Sequence, residues 1–241
     1  MAGFVMKSTT ERIHLLDFIR GCAILAMVAH HAAYDLVAFY EISIPFLETA
    51  LFEAIRTMFA LSFIVISGIS TGLSGNPVRR GLVTLAGALT VSVATFIITP
   101  EMPIRFGILH FMGVSMLIMG LLKKSIHRVP RKIALPMLSI LFIICYFVFP
   151  IVVDADYMYP LGLISTDFVS SDYYPLIPWV FAFIIGSYLT EPLLMRKAPH
   201  WVYTFQVKLI NLCGKHTLWI FMLHQPFLLA IFWLWFNIVL P

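Results

Sequence analysis

The sequence predicts an all-α fold, a polytopic bundle of about seven membrane-spanning helices that forms a single domain over residues 1–241. Three observations predict it. The chain is 61% hydrophobic and only 12% charged, where a soluble domain carries about 25% charged residues. Its apolar residues fall in runs of about 20, long enough at 1.5 Å per residue to cross the hydrocarbon layer. Thirteen of its sixteen basic residues fall in alternate connections between those runs. The net charge of +4 therefore reports where lysines and arginines sit relative to a membrane, and no nucleic-acid partner is expected.

The first span runs from Ile13 to Tyr40. Stretches free of Asp, Glu, Lys and Arg then extend over Thr57–Val78, Gly81–Pro100, Phe106–Leu122, Ile133–Val153, Tyr173–Thr190 and Thr217–Pro241. The run from Trp201 to Cys213 is short and broken by Lys208, which predicts an interfacial helix. Lys7, Arg12, Arg79, Arg80, Lys123, Lys124, Arg128, Arg131, Lys132, Arg196, Lys197, Lys208 and Lys215 all fall on one side, and Glu41, Glu48, Glu53, Glu101, Asp154, Asp156, Asp167 and Asp172 on the other. The positive-inside rule makes the first side cytoplasmic, with the N-terminus inside and the C-terminus outside a multi-pass cell-membrane protein. No apolar core with a small-residue cleavage site opens the chain, so no removable signal peptide is expected. Cys22, Cys145 and Cys213 are read as small core residues.

The first span carries charges that lipid does not tolerate, at a cost of about 2.5 kcal/mol or more each near the bilayer centre. Arg20 and His31 are 11 residues apart, which at about 100° per residue puts them on one stripe, roughly 16 Å apart along the axis. Asp17 lies one turn before Arg20 and Asp35 one turn after His31, at spacings where helix neighbours touch. Asp35 is thus placed to fix the His31 tautomer. His30 points elsewhere and is read as a histidine bonded within the bundle. In the outer half of the fourth span, Arg105 and His110 bring in two further polar groups. Arg56 fits either snorkelling or function. The last span holds His224 and Gln225 beside Pro226, which frees a backbone carbonyl.

The run Arg20-Gly21-Cys22-Ala23 through Val28-Ala29-His30-His31 resembles the opening helix of the transmembrane acyltransferase superfamily. The longer stretch from Leu16-Asp17-Phe18 to Tyr34-Asp35-Leu36 is similar to small bacterial proteins grouped with heparan-alpha-glucosaminide N-acetyltransferase. Phe63 to Ser70, Phe106 to Gly113, and Gly214 to Trp219 with His224-Gln225-Pro226 look like further segments of that family, in the same order. The resemblance implies transfer of an acetyl or similar acyl group from cytoplasmic acetyl-CoA, or another acyl-CoA, to an extracytoplasmic glycan or other amine or hydroxyl acceptor. The lysosomal enzyme has more spans and a lumenal domain, so acceptor recognition does not carry over.

Under that reading His31 is the base or the acyl carrier and Asp35 its stabiliser. Arg20 holds a phosphate of the donor or the inner gate of the site, and Arg105, His110, His224 and Gln225 line the acceptor or thioester pocket. No metal is expected, since His30 and His31 are adjacent and diverge. Membrane lipid is an expected partner, and a second copy of the chain is admitted as one. The competing class is a proton-coupled transporter or channel with Asp17, Arg20, His31 and Asp35 as a relay, although no inverted repeat of broken spans accompanies it.

Overall fold

A computed structural model describes residues 13–154 and 157–239; Lys7, Arg12 and Asp156, used in the charge argument above, lie outside them. Among the described residues seven helices are long and apolar enough to cross a membrane. They are α1 (His14–Tyr40), α2 (Ala50–Gly72), α3 (Pro77–Ile98), α4 (Ile108–Ile126), α5 (Arg131–Val148), the pair α6 (Leu176–Tyr188) and α7 (Thr190–Leu194), and α10 (Thr217–Leu234), which continues as a π turn over Trp235–Val239. Two short helices, α8 (Trp201–Thr204) and α9 (Lys208–Lys215), stand where the interfacial segment is predicted. Two-residue strands β1 (Ile151–Val152) and β2 (Leu163–Ile164) pair in parallel in the long loop before α6.

The second span begins seven residues earlier than the Thr57 expected from charge alone. Glu53 and Arg56 neutralise each other one turn apart, with Arg56 Nη2 at 2.6 Å from Glu53 Oε1. The Thr49 hydroxyl caps the helix by accepting the Phe52 N–H at 3.1 Å, satisfying one of the four orphan amides of its first turn. At the other end Asn76 Oδ1 accepts the Arg79 N–H at 3.0 Å and Pro77 occupies the first turn of α3, where a missing N–H costs nothing. The α2–α3 turn is therefore fixed at Asn76-Pro77, not in the middle of an apolar run.

In lipid, helix association rests on close packing and not on exclusion of water. Gly68 of α2 and Gly186 of α6 meet there: a Cβ on the first would collide with the Phe183 carbonyl, and one on the second with the Val65 carbonyl. The core lies between α2, α4 and α6, around Ile64, Phe111, Met119 and Phe183. The segment α9 docks on α1, where the Asn211 side-chain amide donates to the His14 carbonyl at 2.8 Å. Gly214 there packs on the Asp17 backbone with no room for a side chain. Tyr188 closes the far side by donating to the Ile126 carbonyl at 2.6 Å. Among the described residues Arg20, Arg79, Arg80 and Lys215 gather at one end of the bundle, called inner below; Asp172, Arg56 and Tyr174 mark the outer side.

Candidate active site

Two cavities lie in series along α1. The inner one, about 490 Å³, is lined on its polar side by Arg20, Asn76, Arg79, Arg80, Lys215 and Thr217, and on its apolar side by Leu109, Met112 and Met116. Its chemistry follows from local structure. The capped N-terminus of α3 carries the positive end of that helix dipole, and the two arginines of its first turn add full charges. Arg20 is oriented by bonds to Asp17 Oδ1 at 3.2 Å, to Ser70 Oγ at 2.6 Å and to the Gly214 carbonyl at 3.3 Å. Arg80 reaches the carbonyl of the same Ser70 at 3.1 Å. Opposed cations would repel; here Arg20 is held by one carboxylate and two neutral oxygens and Arg80 by a carbonyl, and the cluster suits a polyanion.

The outer cavity, about 160 Å³, is lined by His30, His31, Arg56, Asp172 and Tyr174 among apolar side chains that include Phe52 and Phe59. The His31 ring lies edge-on to His224 of α10, centroids 4.9 Å apart. Because a carbonyl can only accept, the 2.6 Å contact of His224 Nδ1 with the Phe221 carbonyl puts the His224 proton on Nδ1. Its Nε2 is left as a buried acceptor with no hydrogen bond among the described residues. His30 turns instead towards Phe52, ring centroids 5.3 Å apart.

Asp172 belongs to the loop before α6. Its Oδ2 accepts the Ile108 N–H at 2.9 Å and so caps α4 from a distance of 64 residues in sequence. Gly107 makes the approach feasible, since any side chain there would strike the same carboxylate oxygen. Burial pushes the Asp172 carboxyl up to about 6, against the pull of the Ile108 N–H and of Arg56. No hydrogen bond to its Oδ1 occurs among the described residues, and Asp172 is part of the outer-cavity lining.

A family model described as heparan-alpha-glucosaminide N-acetyltransferase, catalytic, matches residues 12–226. The chain belongs to this family. Comparison with curated proteins and with solved structures gave no match. The match ends at Pro226, so it takes in the cavity-lining residues of α10, Thr217, Leu218 and Phe221, and the His31–His224 contact.

Within this family member the residues singled out from sequence divide into three groups. Arg20 lines the inner cavity and His31 the outer, as the stripe on α1 predicts. His224 and Gln225 are brought to the same face of α1, but Gln225 holds Asp35: its Nε2 donates to both carboxylate oxygens at 2.9 Å. The expected His31–Asp35 bond is not among the hydrogen bonds of the described residues. Arg105, His110, His224 and Gln225 are not among the lining of either cavity. The Arg105 guanidinium lies 5.5 Å over the Phe168 ring, pinning the outer loop, and His110 is buried between α4 and α3 with Nε2 at 3.3 Å from Ser92 Oγ. Sequence reasoning missed Arg79, Arg80, Lys215 and Asp172 as site residues. The first pair had a readable signal, two arginines in the turn opened by Asn76-Pro77; Asp172 had none, because its role depends on a contact with distant Ile108. Among the described residues no group of His, Cys, Asp and Glu is arranged to hold a metal, and the three cysteines are free thiols.

Proposed function

We propose that this membrane protein carries an acetyl or similar acyl group from an acyl-CoA held in the inner cavity to an amine or hydroxyl acceptor, such as a glycan, in the outer cavity. One observation carries this reading: a cationic cavity and a histidine-lined cavity stand end to end along the same helix. The phosphates of the donor match Arg20, Arg79, Arg80, Lys215 and the N-terminus of α3. The positive-inside rule puts that end at the cytoplasm, where acyl-CoA is made. From Arg20 to His31 the rise along α1 is roughly 16 Å, a gap that an extended pantetheine arm covers.

His31 then acts as general base. It takes the proton of the acceptor nitrogen or oxygen as that atom attacks the thioester carbonyl. The new C–N or C–O bond forms, the C–S bond breaks, and the electron pair leaves on the CoA sulfur, which takes the proton from the His31 imidazolium and returns that ring to its neutral form. His224 Nε2 stands ready to accept the N–H of the imidazolium that results, the orienting part that Asp35 was expected to play. Asp35, tied to Gln225, instead holds α10 against α1 so that the two rings meet.

Calorimetric binding of acetyl-CoA to the detergent-purified protein tests the donor half. Arg20→Ala should weaken binding and His31→Ala should keep it while losing transfer. Absence of binding for every acyl-CoA tried would overturn the reading.

A further inference from the structure

Two side chains, Phe63 of α2 and Phe221 of α10, line both cavities, and no other described residue does. Their helix positions say why. Phe63 is one turn from Phe59 and Ala60 in the outer cavity, and one turn in the other direction from Ser67 in the inner. Phe221 follows Thr217 and Leu218 of the inner cavity by one turn, and its ring lies 5.6 Å from that of His224. Both rings are half-buried and pack on one core cluster with Phe111 and Met112. A phenyl ring makes no hydrogen bond, so swinging it aside gives up only dispersion contacts of about 0.1–0.2 kcal/mol per atom pair. A polar plug at the same depth would have to break bonds that lipid and core cannot replace.

We infer that Phe63 and Phe221 are the partition between the two cavities and that the opening between them selects the acyl group by size. The partition itself is independent of the acyl-transfer reading; the selection rests on it. For the thioester carbonyl to reach His31, the thiol end of the donor must pass between the rings. Whatever the carbonyl carries must then fit a cavity of about 160 Å³ that also admits the acceptor. Water occupies about 30 Å³, so the space suits a two- or three-carbon acyl group and rejects a long chain. With no donor arm between them, the rings separate inner from outer solvent.

The test uses the full chain in sealed membrane vesicles, with Cys22, Cys145 and Cys213 replaced by serine. A cysteine introduced by Ala26→Cys reports from the outer cavity, and one introduced by Ser74→Cys marks the inner face. Both are read with a charged, membrane-impermeant methanethiosulfonate. From the face at which the Ser74→Cys protein reacts, the Ala26→Cys protein should be protected, and Phe63→Ala or Phe221→Ala should raise its labelling rate by about tenfold or more, as expected when a packed barrier loses its contacts. A smaller rise in both variants, or full labelling with both phenylalanines present, overturns the partition. Phe63→Leu and Phe221→Leu keep an apolar plug and should stay protected, which separates loss of the barrier from loss of the fold. In the same proteins, the ratio of hexanoyl to acetyl transfer should rise by about tenfold in the alanine variants, the discrimination that a few methylenes of pocket space supply. Two-sided labelling with an unchanged ratio overturns the selection; two-sided labelling with no transfer of any acyl group overturns the proposed function and leaves the partition standing.

Discussion

Asp35 of α1 and Gln225 of α10 are joined across 190 residues of sequence by two hydrogen bonds of 2.9 Å from one amide nitrogen. Asp35 is 1% exposed, so the Gln225 amide is the group that replaces its lost water. Gln225→Ala should therefore destabilise the protein by about 1.5–3 kcal/mol, the range for a hydrogen bond to a charged group. Adding Asp35→Asn to that variant should recover part of the loss, because no charge then remains unpaired. Denaturant unfolding in detergent reads both, and equal stability of Gln225→Ala and wild type would show that the pair does not hold the helices.

His31→Ala should lower acyl transfer by about 10²–10⁴-fold, the usual contribution of a positioned base, while leaving donor binding and thermal unfolding unchanged. His224→Ala should produce a smaller drop, in turnover and not in acceptor affinity, since its ring meets the His31 ring and it is not among the outer-cavity lining. His224→Asn, which can still accept a hydrogen bond, should recover part of the rate. Full activity in His31→Ala would remove this histidine from the reaction.

The class of fold, the α1 stripe and the spacing of its polar groups were legible because each depends on local periodicity and on the intolerance of lipid for charge. Helix ends were less so: Glu53 and Arg56 cancel within one turn of α2, which a count of charges cannot see. The pairings that build the site were not legible, for they are long-range choices. Asp35 had His31 one turn away and Gln225 on another helix, and the amide, with two donors and no net charge, took both oxygens. His110 sat at the right depth but on a helix face that meets Ser92 of α3.

Arg79, Arg80 and Lys215 should each matter to the donor through its phosphates. Replacing any one by alanine should weaken CoA binding by about tenfold at low salt, the value of one charge-assisted contact partly screened by solvent. The deficit should shrink as ionic strength rises and the Debye length falls below about 10 Å. Dephospho-CoA, lacking one phosphate, should lose less with one of the three variants than with the other two, and that variant locates the 3′-phosphate. Isothermal titration at two salt concentrations decides the matter; unchanged affinity in all three variants would place the donor elsewhere.

Asp172 should leave a signature in the pH dependence of stability. Its carboxyl titrates at about 6 in the folded protein against 3.8 for the free side chain, so between these values the folded state holds more protons than the unfolded one. Stability conferred by the neutral carboxyl is then fully present below about pH 4, falls as pH rises through the window, and is gone above about 6. Asp172→Asn keeps an oxygen for the Ile108 N–H and carries no charge to bury. The unfolding free energy of this variant should be flat from about pH 4 to 6 where wild type declines, leaving it at least as stable as wild type at pH 7.5. Unfolding curves at four pH values across the window would show the two lines diverging; parallel lines would mean that the carboxylate is fully hydrated in the outer cavity.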